Sequence, residues 1–498
     1  MQRQEMKAPV VFTLIRNVTI ALLSFISFPF ASQALGTAAM GVYNWANTFV
    51  YYFLIISRLG IPVIAIRECA KVKDDKEKLS EKVQSFFVLQ LITTALSFVL
   101  LFIIMFVGKD TMFKGDTWQL IFLLSLNFLI GVFSFEWVYI ALDRVFYMSV
   151  RALATTILGT LLIIIFVQND HDLFIYAFIN LIATFVTVTL NTLLLKREGI
   201  NLSFRRKVDL RHLTKSLLFV FGITFLITAY NQNDSLLLGY LDDSFRTSGA
   251  YSVGIRGIEI VITIITSLSG IFVIRTTEAL KNNDMPSFHR VISYSNNITF
   301  FIGAPAVLFM IGLSPEIVGF IVKDSPYWDQ VAIDNAILAV VLLSSLMLTY
   351  CIHEGIYQQI LVPLKREKIY FFTMLFVLIF NISLSVILAL FVFKDNPLLA
   401  VALVTLLSEV VVLLILLIKV KEYVVRHIFN LNNLKIIVSA GVSLGIVLLI
   451  KHFLPPMAHL ATIGLSLLVG GIIYVGLLFL FKEDLVYAQI KGVNNGES

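Results

Sequence analysis

The sequence predicts an all-α, polytopic membrane protein of about fourteen transmembrane helices, arranged as two pseudo-symmetric six-helix bundles followed by two extra C-terminal helices. Three observations predict it. Of 498 residues, 58% are hydrophobic and 14% charged, whereas a soluble chain carries roughly 25% charge. Apolar runs of about 20 residues, the length that crosses a bilayer as a self-satisfied helix, recur from end to end. With the N-terminus inside, 29 of the 38 Lys and Arg fall in cytoplasmic segments, six in outward loops and three inside spans. That asymmetry is the one positive-inside topology requires, and one helix more or fewer midway would scramble it.

The predicted spans cover residues 10–30, 40–66, 83–107, 118–141, 150–167, 173–195, 216–240, 250–274, 291–313, 333–352, 369–393, 397–418, 434–454 and 458–481. The first reads as a retained helix: its apolar run, Pro9 to Phe30, is long enough to span and lacks a small-residue cleavage site. The organisation expected is an N-terminal bundle over 1–195, a basic cytoplasmic linker over 196–215, a second bundle over 216–418, and the last two helices with a tail over 419–498. An internal repeat supports the duplication. Leu35-Gly36 precedes Gly41-Val42-Tyr43 at the start of the second span, and Leu238-Gly239 precedes Gly249-Ala250-Tyr251 at the start of the eighth. Duplicated halves place a substrate path at their interface.

Three arginines fall well inside spans: Arg16, Arg58 and Arg256. Such a residue costs at least about 2.5–3.5 kcal/mol at the bilayer centre and normally faces water or an acid. At 100° per residue, Asn44, Thr48, Tyr51 and Arg58 share one arc, as do Ser252, Arg256, Glu259, Thr263 and Ser267, and Thr224, Thr228, Asn231 and Ser235. These stripes predict a hydrated cleft. Guanidinium forks suit phosphate, since each can bind two oxygens. Competing readings are an Arg256–Glu259 pair that neutralises itself and anchoring of Arg16 and Arg58 at the inner interface. Asp234, near Asn231 and Asn233, could hold a small cation or titrate. So could the set Asn381, Ser383 and Ser385 with Thr405, Ser408 and Glu409, which could equally be hydrogen-bond glue between helices. Glu136 reads as a packing contact or a cytoplasmic-end residue.

Several chemistries are missing. No GxxxxGK[ST] loop is present, so ATP hydrolysis is excluded. His353-Glu354 opens like a zinc helix, but the fifth position is Tyr357. Cys69 and Cys351 offer neither a disulfide framework nor a metal spacing. The charged segment from Arg67 to Lys82 reads as a solvated cytoplasmic helix. Outward loops are short, the longest being Ser314 to Ala332, too small for the acceptor site of a glycan polymerase or acyltransferase. A non-enzymatic transporter is expected, with no nucleic-acid partner and no cofactor beyond a coupling ion, Na+ or H+.

With these features in place, the segment LGIPVIAIRECAKVKDDKEKLS at 59–80 and the stretch DSLLLGYLDDSFRTSGAYSVGIRGIEI at 234–260 resemble the Wzx-type polysaccharide flippases of the MOP exporter superfamily. The resemblance covers most of the chain. It implies alternating access by a V-shaped pair of bundles in the bacterial plasma membrane, both termini cytoplasmic. The implied substrate is an undecaprenyl-pyrophosphate-linked oligosaccharide repeat unit, moved from inner to outer leaflet by a protein expected to act as a monomer. Membrane lipid, a glycan polymerase and other assembly proteins are the implied partners. Related lipid II flippases carry functional arginines on the helices that here bear Arg16, Arg58 and Arg256, which makes Glu259, Asn44, Tyr51 and Asn231 their expected neighbours. Their sodium site finds its nearest matches in Asp234, Asn381 and Thr405, with Glu409 one turn on; this chain has Ser385 where they have a second amide or acid. Alternatives of the same fold are a lipid II flippase and a MATE-like drug or cation antiporter. The latter would want carboxylates rather than arginines on the first two helices.

Overall fold

The computed structural model describes residues 7–109, 113, 117–202, 211–323, 325–428, 430–455 and 457–490. Much of the basic segment 196–215 and the tail beyond 490 therefore lie outside the described residues. Thirteen apolar helical segments of 22 to 55 residues are long enough to cross a membrane. The first, Arg16–Ala70, is long enough to cross twice, at 1.5 Å per residue against a core of about 30 Å. The first two expected spans, 10–30 and 40–66, fall largely within it. No strand occurs among the described residues. Two compact units divide the chain, Met1–Gly249 and Ala250–Ser498.

The first unit opens with α1 (Lys7–Arg58), whose two halves meet at Gly36 (φ 74°, ψ 178°), a backbone region essentially closed to residues with a Cβ. Leu59 (φ 43°) and Gly60 (φ 69°) end it, and Pro62 enters the first turn of α2 (Ile61–Ala70), where its missing N–H costs nothing. Asp75 then caps α3 (Lys76–Val107), accepting from the amides of Glu77 (3.2 Å) and Lys78 (3.1 Å). The expected single charged helix from Arg67 to Lys82 is thus two helix ends around a cap. The span expected over 118–141 is likewise interrupted: α4 (Thr117–Gly131) passes through one 3₁₀ turn and Phe135 (φ 50°) into α5 (Glu136–Ala141). Next come α6 (Val145–Phe166), α7 (Leu173–Arg197), α8 (Thr214–Leu241) and the start of α9 (Arg246–Lys281). The α1 helix packs against α3, α4, α6 and α8. On its outer side α3 exposes Leu96 (65%) and Phe106 (83%). Apolar surface of that extent is at home in lipid, not in water.

The repeated glycines prove to have separate tasks. Gly36 breaks a helix, whereas its counterpart Gly239 sits inside α8 where a Cβ would overlap the Trp45 ring. Gly41 and Gly249 form a reciprocal crossing: a Cβ on Gly41 would overlap the Phe245 carbonyl, and one on Gly249 the Thr37 carbonyl. Small residues are what allow helix backbones to approach this closely within a membrane.

The second unit continues through α9 and then α10 (Met285–Gly312), α11 (Ser314–Val322), α12 (Gln330–Ile356), α13 (Glu367–Ile387), α14 (Pro397–Lys419), α15 (Lys421–Ile428), α16 (Leu431–Phe453), α17 (His459–Leu480) and α18 (Asp484–Ile490). The outward loop expected over 314–332 is therefore partly helical. Segments with the π-helix bonding pattern follow α12 (Tyr357–Leu361) and α13 (Leu388–Val392). The α12 helix is the centre of this unit, packed by α10, α11 and α14.

Replacing Gly41 or Gly249 with Ala is expected to cost about 1–3 kcal/mol through overpacking, read as a lower thermal midpoint of the purified protein. Gly464→Ala, with nothing within 4 Å of the added carbon, is expected to leave the midpoint unchanged or higher. Equal midpoints for all three variants would contradict the crossing.

Candidate functional site

The first unit encloses a cavity of about 530 Å³. Tyr43, Asn47, Tyr51, Leu54 and Arg58 of α1 line it at the spacing of one helix face, and α4 adds Asn127 and α5 Glu136. Thr155, Thr156 and Thr160 of α6 and Asn180, Thr184 and Thr187 of α7 complete the polar wall. On the α6 and α7 walls Thr156 donates to the Ala152 carbonyl at 2.8 Å and Thr184 to that of Asn180 at 3.0 Å. The Oδ1 atom of Asn127 is buried with no hydrogen-bond partner in the protein, the state of an acceptor that a ligand or water would satisfy.

Charge in this cavity is organised around a side chain the sequence reading passed over. Arg151, its side chain only 5% exposed, places Nη2 2.7 Å from Oε1 of Glu136, which is 45% exposed. Its Nη1 donates to Oδ1 of Asn191 at 2.5 Å, and Asn191 donates through Nδ2 to the Ser134 carbonyl at 2.5 Å. Tyr139 donates to the Asn191 carbonyl. The 3₁₀ turn and Phe135 break the helix where Glu136 would otherwise have continued α4, and this turns the carboxylate toward α6. Glu136, expected as a packing contact or a cytoplasmic-end residue, is a cavity carboxylate in an ion pair. Arg58 is exposed on the cavity wall, and Arg16 is in electrostatic range of both Glu136 and Arg151. The charged residues on the lining itself are Arg58 and Glu136, and with Arg151 and Arg16 off the lining the region counts three guanidinium groups to one carboxylate.

The expected residues distribute as follows. Tyr51 and Arg58 line the cavity, but the rest of their predicted stripe is displaced by about one residue. Tyr43 and Asn47 face the cavity, whereas Thr48 is buried and donates to Oε1 of Gln232 at 3.3 Å. Asn44 is half-buried with its Nδ2 lacking a partner. Arg16 donates through Nε and Nη2 to Oδ1 of Asn17 at 3.1 and 3.0 Å. Asn231 is exposed on α8 and is no part of the cavity, while Asp234 is buried on the same helix. In the second unit, Arg256 and Glu259 form the self-neutralising pair, Nη1 to Oε2 at 2.8 Å. Asn381 donates to Thr405 (3.1 Å) and Ser408 (3.2 Å), all buried, so these three meet. Glu409 turns elsewhere, to His353. Ser385 is fully buried and Ser383 exposed.

The signal for Glu136 and Arg151 was faint. Arg151 sits at the edge of its predicted span, where a basic residue reads as an interface anchor, and only the break at Phe135 turns Glu136 toward it. Glu136→Leu leaves a buried guanidinium without its counterion and is expected to cost about 3–5 kcal/mol. The double variant Glu136→Leu/Arg151→Met should recover most of it in thermal denaturation. A wild-type midpoint for the single variant would contradict the pair's role.

The sequence model of the family described as "Polysaccharide biosynthesis protein" matches residues 7–273. A search of curated proteins finds no match. Among solved structures, the chain resembles the lipid II flippase MurJ in its inward closed conformation, at 18% identity over 96% of this chain and 100% of that one, with a TM-score of 0.67. It also resembles an inward-facing multidrug resistance MATE transporter of the MOP superfamily, at 16% identity, 82% and 98% coverage and a TM-score of 0.60. A MOP superfamily transporter from Pyrococcus furiosus follows at 15% identity, 83% and 96% coverage and a TM-score of 0.56. At these identities the structures speak for the fold alone, and it is the fold the sequence led us to expect. The family assignment rests on a match over more than half of the chain: this protein belongs to the polysaccharide biosynthesis protein family.

Proposed function

We propose that the protein is a flippase for lipid-linked oligosaccharide, taking an undecaprenyl-pyrophosphate-bound repeat unit from the inner to the outer leaflet of a bacterial plasma membrane by alternating access. The observation that carries this reading is the cationic cavity of the first unit, with Arg58 on its wall and Arg151 held by Glu136 behind it. Guanidinium groups in an apolar surrounding bind phosphate oxygens with charge-assisted hydrogen bonds roughly twice as strong as neutral ones. The threonine and asparagine walls supply the generic donors and acceptors that sugar hydroxyls need. Lipid tails would remain in the bilayer.

Membership of a polysaccharide biosynthesis family supports a glycan precursor as cargo. The likeness to MurJ keeps lipid II, which bears the same pyrophosphate, as the nearest alternative substrate. The excess of arginine over carboxylate argues against the cation cargo of a drug antiporter. In this reading the protein is no enzyme and an ion gradient, Na+ or H+, resets the cycle; both termini lie in the cytoplasm. A glycan polymerase consumes what it delivers.

In cells that depend on this protein for surface glycan, Arg58→Ala should reduce glycan by more than about tenfold at equal protein level, matching the roughly 2–5 kcal/mol lost when a desolvated charge partner is removed. Arg58→Lys, which keeps the charge but not the fork, should restore part of it. Normal surface glycan with Arg58→Ala would overturn the phosphate-binding role.

A further inference from the structure

The second unit buries a titratable pair that the cavity chemistry does not use. His353, in the last turns of α12, places Nε2 3.0 Å from Oε2 of Glu409 on α14. Both residues are 1% exposed. The elements around α12 are α10, α11, α14 and the π-helical segment. The charged groups that act on His353 are Glu409 and Glu354; His289, Arg290 and Tyr294 of α10 and Glu316 of α11 are not among them. Tyr350, Cys351 and Glu354 come from its own helix, Tyr370 from α13 and Tyr357 from the π-helical segment. The ring of Tyr350 lies 5.0 Å from that of His353, and Tyr370 6.2 Å.

Proton accounting restricts what this pair can be. With one proton between imidazole and carboxylate it is neutral overall, whether as imidazolium and carboxylate or as imidazole and carboxylic acid. With none, a bare carboxylate is buried; with two, a bare imidazolium. Either bare ion, cut off from water, carries a penalty of several kcal/mol. The pair therefore keeps one proton while it is enclosed and parts with it only when water reaches it. A purely structural tie between α12 and α14 could be made from two apolar or two amide side chains without that property.

A polar cluster lies beside the pair. Glu354, half-buried and adjacent to His353, accepts from Nε2 of Gln358 at 2.6 Å and from the Tyr370 hydroxyl at 3.3 Å. Tyr370 stacks on Tyr357 at 4.1 Å between ring centroids. Tyr357 opens the π-helical segment, a local widening that is frequent at functional sites.

We infer that His353 and Glu409 form the proton-binding site through which transport is coupled to a proton gradient. The inference rests on the transporter reading above and names its coupling ion. One proton from bulk water passes by Glu354 and Tyr370 to the pair, is retained while the site is closed, and returns to water on the other side of the cycle. The only bonds that form and break are the N–H and O–H bonds to this proton.

The test counts protons on the purified full-length protein, by uptake from weakly buffered solution between about pH 5 and 8, where histidine titrates. Wild type, whose cycle opens the pair to water, should take up one proton more than His353→Gln or Glu409→Gln, each checked for folding by its melting profile. In cells, both variants should lose about 5- to 150-fold of surface glycan, the range of a usual coupling energy. What remains should no longer respond to collapse of the proton gradient. Equal uptake in all three proteins would overturn the proposal, and so would unaltered proton-gradient dependence in His353→Gln. Should both variants fail to fold, Glu409→Asp decides: drawing the carboxylate back by one methylene should shift the pH midpoint of uptake, and an unshifted midpoint would overturn the site. Cells that keep their glycan without the protein would sink the flippase reading alone, because the proton count judges the pair by itself.

Discussion

A charge inside a lipid-enclosed bundle has to be answered by another charge or by water, and the first unit is arranged around that constraint. Arg151 is buried on α6, and every contact it makes passes the requirement along: to Glu136 at the start of α5, to Asn191 on α7, and through Asn191 to the backbone at Ser134. Those partners lie in three separate segments. The break at Phe135 is what brings Glu136 round to meet the guanidinium. Because the carboxylate remains half exposed, the pair opens onto the cavity instead of closing into a dry core, and Arg58 then adds a cation on the same wall. A cationic, water-accessible surface follows from how one buried arginine is satisfied.

Backbone breaks do the positioning. Gly36 divides the longest helix, Leu59 and Gly60 end it just after Arg58, and Asp75 starts α3. Each break lets a helix change direction without leaving amides unpaired in an apolar setting, which hydrocarbon would penalise by several kcal/mol apiece. The reciprocal fit of Gly41 and Gly249 then sets how closely the second half of α1 can approach the start of α9. These are features of backbone geometry, and they place Tyr43, Asn47, Tyr51 and Arg58 on the face that the cavity occupies.

Much of this was legible in the sequence, because it followed from period and composition. The span count came from apolar length and loop charge, and Tyr51 and Arg58 came from helical spacing. The same spacing placed Asn44 and Thr48 beside them, since adjacent residues on a helix differ by only 100° and the edge of an arc cannot be fixed without knowing the neighbouring helix. In the structure Thr48 serves α8 through Gln232, and Tyr43 and Asn47 take its expected place. Neither the Glu136–Arg151 nor the His353–Glu409 pairing could be read, although Glu409 itself stood out as a candidate for ion coupling. Each joins different helices, and a single ionisable residue near a span end looks like an anchor until its partner is known. Asn381 and Thr405 were grouped by their polar chemistry, as a cation site or as glue between helices, and the structure joins them by a hydrogen bond. The residues at 203–210 and 491–498 lie outside what the structure describes, so the basic segment expected between the bundles stays a reading of sequence.

The most direct measurement of the central claim is accessibility along α1. Cysteine introduced at Asn47, Tyr51 and, on the opposite side, Phe53, which is buried against its neighbours, would be exposed to a membrane-impermeant maleimide from each side of sealed vesicles. A hydrated cationic cavity predicts labelling at 47 and 51, slowed by a pyrophosphate-bearing polyprenyl lipid, and none at 53. Labelling that is absent at 47 and 51, or indifferent to that lipid, would contradict it.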